Sequence, residues 1–376
     1  MRRISVIGAG FAALTAVRAL RKQDKDAEIT LIAPKAEFIY APSLIWVPSR
    51  LRSADDLRVD LCGFLERHKV HFHAGRVTGM RGGGRLVITD QGEVENDGLI
   101  VASGGRFIKR LPGIEHAITL CEGIEAAERI RDAVERMGGG AIALGFGGNP
   151  NEPSAVRGGP MFELMFGLDT LLRRQGRRDR FKLVFFNPAA RPGNRLGEAA
   201  VDALLKRMAT LGIETHLGHK PLRFEAGKVV TEGGEFAADL ILFMPGMTGP
   251  AWLEGAGLPI SPGGMIQADA HCRVNGFDKV YVAGDSGSFP APDWAPKQAH
   301  MADLQAVAAA ENLLAEMRGG VADKTFRWEL ICIMDTLEKG ILVYRDAKRT
   351  FILPPCRLLH WGKRIFEWLY LRPYRR

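Results

Sequence analysis

Cysteine is scarce in this chain, with five residues among 376, at positions 62, 121, 272, 332 and 356. The count is odd and the spacing scattered, which argues against a structural disulfide framework. No apolar run approaches the roughly 18 residues that a membrane-spanning helix requires. A strand pattern that starts at Arg3 leaves no room for a secretory or transit peptide, so the expected address is cytoplasmic. There is no short-period repeat and no low-complexity tract. His68, His71 and His73 lack cysteine or carboxylate partners at ligand spacing, and no metal is expected. Acidic residues fall short of basic ones, 43 against 51, for a net charge of +8. Part of that excess is Arg173, Arg174, Arg177, Arg178 and Arg180, which close a helical pattern. They are expected to form a solvated, dipole-favoured helix end, and no nucleic-acid partner is inferred. A hydrophobic share of 46% and a charged share of 25% describe a globular chain long enough for two or three cored domains.

Ile4-Ser-Val-Ile-Gly-Ala-Gly-Phe-Ala-Ala13 is a buried strand, a glycine turn and a helix start. Gly8 supplies the tight turn, Gly10 lets backbone approach a pyrophosphate, and Ala13 keeps the first helical turn close to the sheet. The anion would sit on the free N–H groups of a helix over 12–22.

Further along, strands are expected at 28–32, 70–73, 86–89 and 99–102, with a strand-into-helix segment over 56–65 and a hairpin turn at Gly82-Gly83-Gly84. A helix over 123–137 ends at three glycines. A second strand-glycine unit then begins at Ala141 to Gly147, with helices near 160–174 and 197–211 and strands at 181–186 and 239–244. Val280 to Asp285 is another buried strand and turn, followed by a long helix from Lys297 to Met317. The pattern is an α/β fold of two Rossmann-like domains, the second inserted in the first. Residues 1–115 and 260–320 would form the dinucleotide-binding domain, 116–259 the second, degenerate unit, and 321–376 a carboxy-terminal segment.

The Gly-Ala-Gly turn at 8–10, Val-Ala-Ser-Gly-Gly at 101–105 and Tyr-Val-Ala-Gly-Asp at 281–285 together resemble the two-dinucleotide flavoprotein superfamily. Within it the chain resembles the sulfide:quinone oxidoreductases, kin of type II NADH dehydrogenases and of the flavocytochrome c sulfide dehydrogenase flavoprotein. Phe38 to Val47 is similar to that family's Phe-x-x-x-Pro-Ser-x-x-Trp-Val segment beside the isoalloxazine, and Gly159-Pro160-Met161-Phe162-Glu163 to its Gly-Pro-x-x-Glu. Phe243-Met244-Pro245, Pro296-Lys297 and Ile331-Cys332-Ile333-Met334-Asp335 match as well. The resemblance implies FAD as cofactor. It assigns cofactor binding to Gly8, Gly10, Phe11, Ala12, Pro42, Ser43, Ser103, Gly104, Gly284, Asp285 and Lys297. Asp285 would hold the ribityl chain, and the helix after Pro296, with Lys297, would stabilise the reduced ring.

The family uses three cysteines in sulfide oxidation, since sulfide attacks a disulfide sulfur and the released thiolate reduces flavin. Two match Cys121 and Cys332, the catalytic candidates here. At the third position the chain has Arg157, so the usual relay between neighbouring thiols cannot form. The two remaining cysteines share the work, or Cys332 acts alone, or the donor differs. Inert packing is the competing explanation for both thiols. Against NADH as donor, Asn149-Pro150 stands where a phosphate-binding helix should begin, and the 181–186 strand leads to Asn187 instead of an acid that would grip a ribose. Ala33-Pro34-Lys35 likewise replaces the ribose carboxylate of the first unit.

From Arg357 to Leu371, Leu358, Leu359, Trp361, Ile365, Phe366, Trp368 and Leu369 share one half of a helical wheel. Arg357, His360, Lys363, Arg364 and Glu367 share the other. A basic, aromatic-rich amphipathic helix suits the headgroup plane of an anionic membrane, or else a cap on the flavin domain. The expectation is therefore a peripheral oxidoreductase on the inner face of the membrane. It would pass electrons from sulfide or another small reduced donor through FAD to a quinone, with a homo-oligomer left open. The alternatives are another donor, NADH included, or a flavoprotein subunit that docks a protein partner.

Overall fold

The computed structural model describes residues 2–375. Its first sheet is parallel, in the order Val280–Val282, Gly98–Val101, Arg3–Ile7, Glu28–Ala33, Val70–Ala74. The central strands are mainly apolar because both faces are covered, one by helices and the other by the antiparallel sheet of Val77–Arg81, Leu86–Thr89 and Gly92–Glu95. The first helix, Phe11–Gln23, buries Ala12, Ala13, Ala16 and Val17, and the long helix Ala299–Met317 buries Ala302, Ala306, Ala309 and Ala310. The two pack on each other, and short side chains on both let the backbones come close.

The second sheet is also parallel, in the order Ala117–Ile118, Leu240–Met244, Gly140–Phe146, Phe181–Asn187, Glu214–Leu217. Its strands fall between Gly98–Val101 and Val280–Val282, which are neighbours in the first sheet, so the second unit is inserted in the first. The carboxyl ends of both sheets border one cavity, where α/β folds bind ligands.

Three elements differ from the sequence expectation. An antiparallel sheet of Glu329–Asp335, Gly340–Asp346 and Thr350–Cys356 precedes the terminal helix and carries Cys332. Its strands are wholly or mainly apolar on both faces and contain the helix-compatible residues Leu, Ile and Met, so periodicity does not separate them from a buried helix. The long helix starts at Ala299, leaving Lys297 outside it. The arginine run is a solvated helix end only in part: Arg173 and Arg174 are exposed in the last helical turn, but Arg177 and Arg178 are tied into the fold. Arg178 bridges Asp169 at 2.6 Å and bonds the carbonyls of Phe181, Leu211 and Gly212, while Arg177 lies over the Phe181 ring. Asp169 is buried and needs these cations. His71 and His73 do point away from the core, and His73 bonds Thr89 at 2.8 Å.

The terminal helix, Arg357–Arg375, docks by its polar side. His360 Nδ1 and Asp335 are 2.7 Å apart, and the Trp46 indole N–H reaches the same carboxylate at 3.0 Å. Lys363 pairs with Glu163, and Glu367 with Arg52 and the Ser43 hydroxyl. Tyr370 donates to Asp303, and Leu371 and Tyr374 are buried. Positions 360, 363, 367, 370 and 374 form one inward stripe at helical spacing. The opposite face is left outside, with Leu358, Trp361, Ile365, Phe366, Trp368 and Leu369 between 50% and 81% exposed. No helix among the described residues is long and apolar enough to cross a membrane.

Candidate active site

A cavity of about 1410 Å3 runs from the Gly8–Ala12 turn, past the ends of both sheets, to Leu330–Ile333 and the terminal helix. Gly8 has φ +114, and a Cβ there would stand 2.3 Å from the Ala102 carbonyl oxygen, so only glycine fits. Gly10 has nothing within 4 Å of where its Cβ would be. The helix that follows has no side-chain cap and no acid in its first turn. An open glycine before uncapped N–H groups is a cradle for a pyrophosphate, and the residues present fit one.

Phe11, Ala12, Pro42, Ser103, Gly104, Gly284, Asp285 and Lys297 line the same cavity, as do Cys121 and Cys332. Ser43 does not. It is buried, and its hydroxyl donates to Glu367 at 2.6 Å, so it holds the terminal helix and takes no place in the cavity wall. Ser286 ties the wall together by donating to the Gly104 carbonyl at 2.9 Å, and Gln305 receives the Gly284 N–H at 2.9 Å.

Arg157, standing where the resemblance would put a thiol, forms an ion pair with Asp285 and adjoins Cys121. Burial works against its charge, yet the facing Asp285 holds the guanidinium above its usual value. One carboxylate oxygen of Asp285 is thus engaged by this chain's own arginine. Lys297 donates to the Gly287 carbonyl at 2.7 Å. Burial draws its ammonium below the ordinary lysine range, with Asp285 and Glu152 pulling back.

Burial disfavours the thiolate form of both cysteines. Burial raises Cys121 above the ordinary thiol value despite Arg157 beside it. Burial, helped by the Glu163 charge, pushes Cys332 up to about 12. Both are free cysteines. A Cβ on Gly159 would lie 3.9 Å from Cys332 Sγ, which sets Cys332 against the start of the Gly159–Arg174 helix, two residues beyond Arg157. No group of three or more His, Cys, Asp or Glu side chains among the described residues is arranged to hold a metal.

The second glycine turn borders the cavity but leads into no helix. After Gly147 no helix begins until Gly159. Asn149 donates to the carbonyls of Met247 and Gly263 at 2.9 and 2.8 Å. A Cβ on Gly246 would come 2.3 Å from the Gly148 backbone, so this loop presses directly on the neighbouring strand end. Asn187, at the position of the missing acid, is buried and donates to the Phe146 carbonyl at 2.9 Å.

Several contacts in and around the cavity escaped sequence reasoning. They are the Arg157–Asp285 pair, the buried Lys363–Glu163 pair, the His360–Asp335–Trp46 cluster and Asp303, whose carboxyl burial pushes up to about 6. The spacing of 360, 363, 367, 370 and 374 was a signal for the middle two, but their polar character suggested solvent.

Residues 2–306 match the model of the pyridine nucleotide-disulphide oxidoreductase family. The sulfide-quinone reductase of Aquifex aeolicus is 23% identical over 398 residues, covering 98% of this chain and 90% of the relative. The type II NADH:quinone oxidoreductase of Staphylococcus aureus is 26% identical over 340 residues, with 85% and 83% covered. The crystal structure of the Aquifex aeolicus sulfide:quinone oxidoreductase superposes with a TM-score of 0.89 at 22% identity, over all of this chain and 92% of that one. NDH2 of Plasmodium falciparum, solved with NADH, gives 0.78 at 11% identity, over all of this chain and 96% of the other.

Proposed function

Since the chain belongs to the pyridine nucleotide-disulphide oxidoreductase family, we propose that it is the sulfide:quinone kind of enzyme within it, attached to a membrane surface. It is an FAD-dependent oxidoreductase. When bound, FAD supplies a two-electron relay, taking electrons that a reduced sulfur donor loses and giving them up to a quinone that also takes two protons.

The observation that carries this reading is the course of the cavity. It runs from the glycine cradle to Ile331 and Phe366, which line it with Cys332 and are 41% and 56% exposed, and we place its mouth there. An apolar acceptor arriving from a lipid surface would meet Ile331 and Phe366 first. Glu163 and Lys363 stand at the same wall. Burial raises the Glu163 carboxyl, so that the pair holds a proton within reach of that mouth. The chain's other contributions are Gly8 and Gly10 for the pyrophosphate, Asp285 for the ribityl chain, Lys297 and the Ala299–Met317 helix for the ring, and Cys332 with Cys121 for the sulfur.

The membrane part rests on the inverted docking of the terminal helix. An amphipathic helix on a water-soluble body normally turns its apolar side inward. Here ion pairs hold the polar side in, and the apolar face, extended by Phe351 and Leu353, is left for a lipid headgroup layer. Arg357, Arg364 and Arg372 flank that face and suit the anionic inner leaflet.

NADH is the rival donor, favoured by the Staphylococcus aureus relative. The turn at 147–150, which no helix follows until Gly159, and Asn187 in place of an acid weigh against it. The test is anaerobic mixing of the pure holoprotein with each donor, followed by quinone. Sulfide should bleach the flavin and quinone restore it, NADH should do neither, and Cys332→Ser should abolish the sulfide response. Bleaching by NADH with sulfide inert would overturn the proposal.

A further inference from the structure

Resting on the reading just given, we infer that the donor side of the cavity is an oxyanion subsite formed by Arg195 with Arg157, so that the donor carries a sulfur oxyanion or carboxylate group.

Arg195 lines the cavity from the Asn194–Leu196 turn of the second unit. Its one hydrogen bond among the described residues is from a terminal nitrogen to the Ser154 carbonyl, at 3.1 Å. No carboxylate among the described residues lies within 4 Å of it. Glu152, the acid whose charge it feels, is occupied by the hydroxyls of Ser154 and Ser261, both at 2.8 Å. A guanidinium largely withdrawn from water with most of its N–H groups unused is a costly arrangement. A ligand that accepts from those groups removes the cost.

The surroundings add charge of the same sign. Lys297 is acted on by both Arg157 and Arg195, so the three cations lie within mutual electrostatic reach, against only Asp285 and Glu152. The pyrophosphate cradle at Gly8–Gly10 belongs to the first sheet, whereas Arg195 comes from the second unit. Arg110 and Lys220 line the same cavity farther out and would draw anions inward.

Shape points to oxygen. A guanidinium is a planar fork that matches two oxygens of one acid group, whereas a spherical hydrosulfide ion uses neither its planarity nor its spacing. Arg157 stands where the resemblance would put a thiol, so a position that would handle bare sulfur holds a group suited to an oxyanion. Two sources share this chemistry, an inorganic sulfur oxyanion and a small thiol bearing a carboxylate.

The test uses the FAD-loaded holoprotein under anaerobic conditions, with thiosulfate and mercaptoacetate as probes and chloride at matched ionic strength as control. Binding is read from the perturbation of the flavin spectrum and by calorimetry. Saturable binding of either probe is expected, and the tighter one names the source. Arg195→Gln should weaken it about tenfold or more, the scale of a lost charge-assisted hydrogen bond, and Arg195→Lys by a smaller factor. Both variants should keep the wild-type ratio of FAD to protein. The inference is overturned by the absence of saturable binding in the wild type, or by equal binding in Arg195→Gln. Loss of FAD from both variants overturns it too, since the arginine would then serve the cofactor. Quinone reduction driven by sulfide or by either probe, measured on the same preparation, separates the failures. Turnover without anion binding sinks the subsite alone, and anion binding without turnover sinks the broader function alone.

Discussion

Replacing Lys363 by methionine tests the terminal helix and the cavity wall together. The side chains of Lys363 and Glu163 are 14% and 9% exposed, and the same Glu163 oxygen also accepts the Asp335 N–H at 3.1 Å. Methionine keeps the aliphatic volume and removes the charge, which strands a buried carboxylate. Breaking a buried pair from one side costs about 3 kcal/mol or more. With an unfolding entropy near 0.8 kcal/mol/K for a chain of 376 residues, that is a melting temperature lower by about 4 °C at neutral pH. The pH dependence gives the sign. Glu163 is already raised by burial, and without Lys363 it rises further. A carboxyl whose folded value exceeds its unfolded one costs nothing below the unfolded value and costs more as pH climbs above it. The deficit of Lys363→Met should therefore be small at pH 4 to 5 and grow toward pH 8. Glu163→Gln added to it should recover most of the loss. Thermal melts across pH, with limited proteolysis of the helix, measure both. A deficit that is independent of pH, or unrelieved by Glu163→Gln, would refute the argument that an unpaired carboxylate is its cause.

Gly8→Ala should yield protein that no longer retains FAD through gel filtration, since its Cβ would meet the Ala102 carbonyl at 2.3 Å in a backbone conformation that L residues rarely adopt. Trp361→Ala with Trp368→Ala should lower binding to anionic liposomes at least tenfold by co-sedimentation, while the melting temperature holds, because both rings are half or more exposed. Asp303 accepts from Thr15 at 2.6 Å and from Tyr370 at 3.1 Å, and burial pushes its carboxyl up to about 6. Its raised value destabilises the fold as pH rises from about 4 to 6. Asp303→Asn should then gain stability over the wild type across that window and hold a constant advantage above it, as read by denaturant melts.

Much of the fold was legible because it is written in local patterns. The glycine turn at 8–10, the strand ends at 101–105 and 281–285, and the helices at 11–23 and 124–136 each follow from spacing and from glycine chemistry. These carry almost all of the cavity wall on the first-sheet side. What stayed hidden depends on partners distant in sequence. Ser43 sits in a motif beside cavity residues, but it is recruited by Glu367, 324 residues away. Arg157 was visible as a departure, and its meaning emerged only when Asp285 and Cys121 were found against it. The terminal helix shows the sharpest reversal. Its polar stripe was plain in the sequence, yet Asp335 and Glu163 were needed to turn that stripe inward.

The inward stripe also makes the proposed membrane face and the cavity wall one mechanical unit. Lys363, Phe366 and Tyr370 belong both to the apolar-faced helix and to the floor of the cavity. On the proposed reading, a protease that clips the exposed turn at 347–349 would loosen the bilayer contact and unroof the cavity in one event, so no released, working fragment should exist.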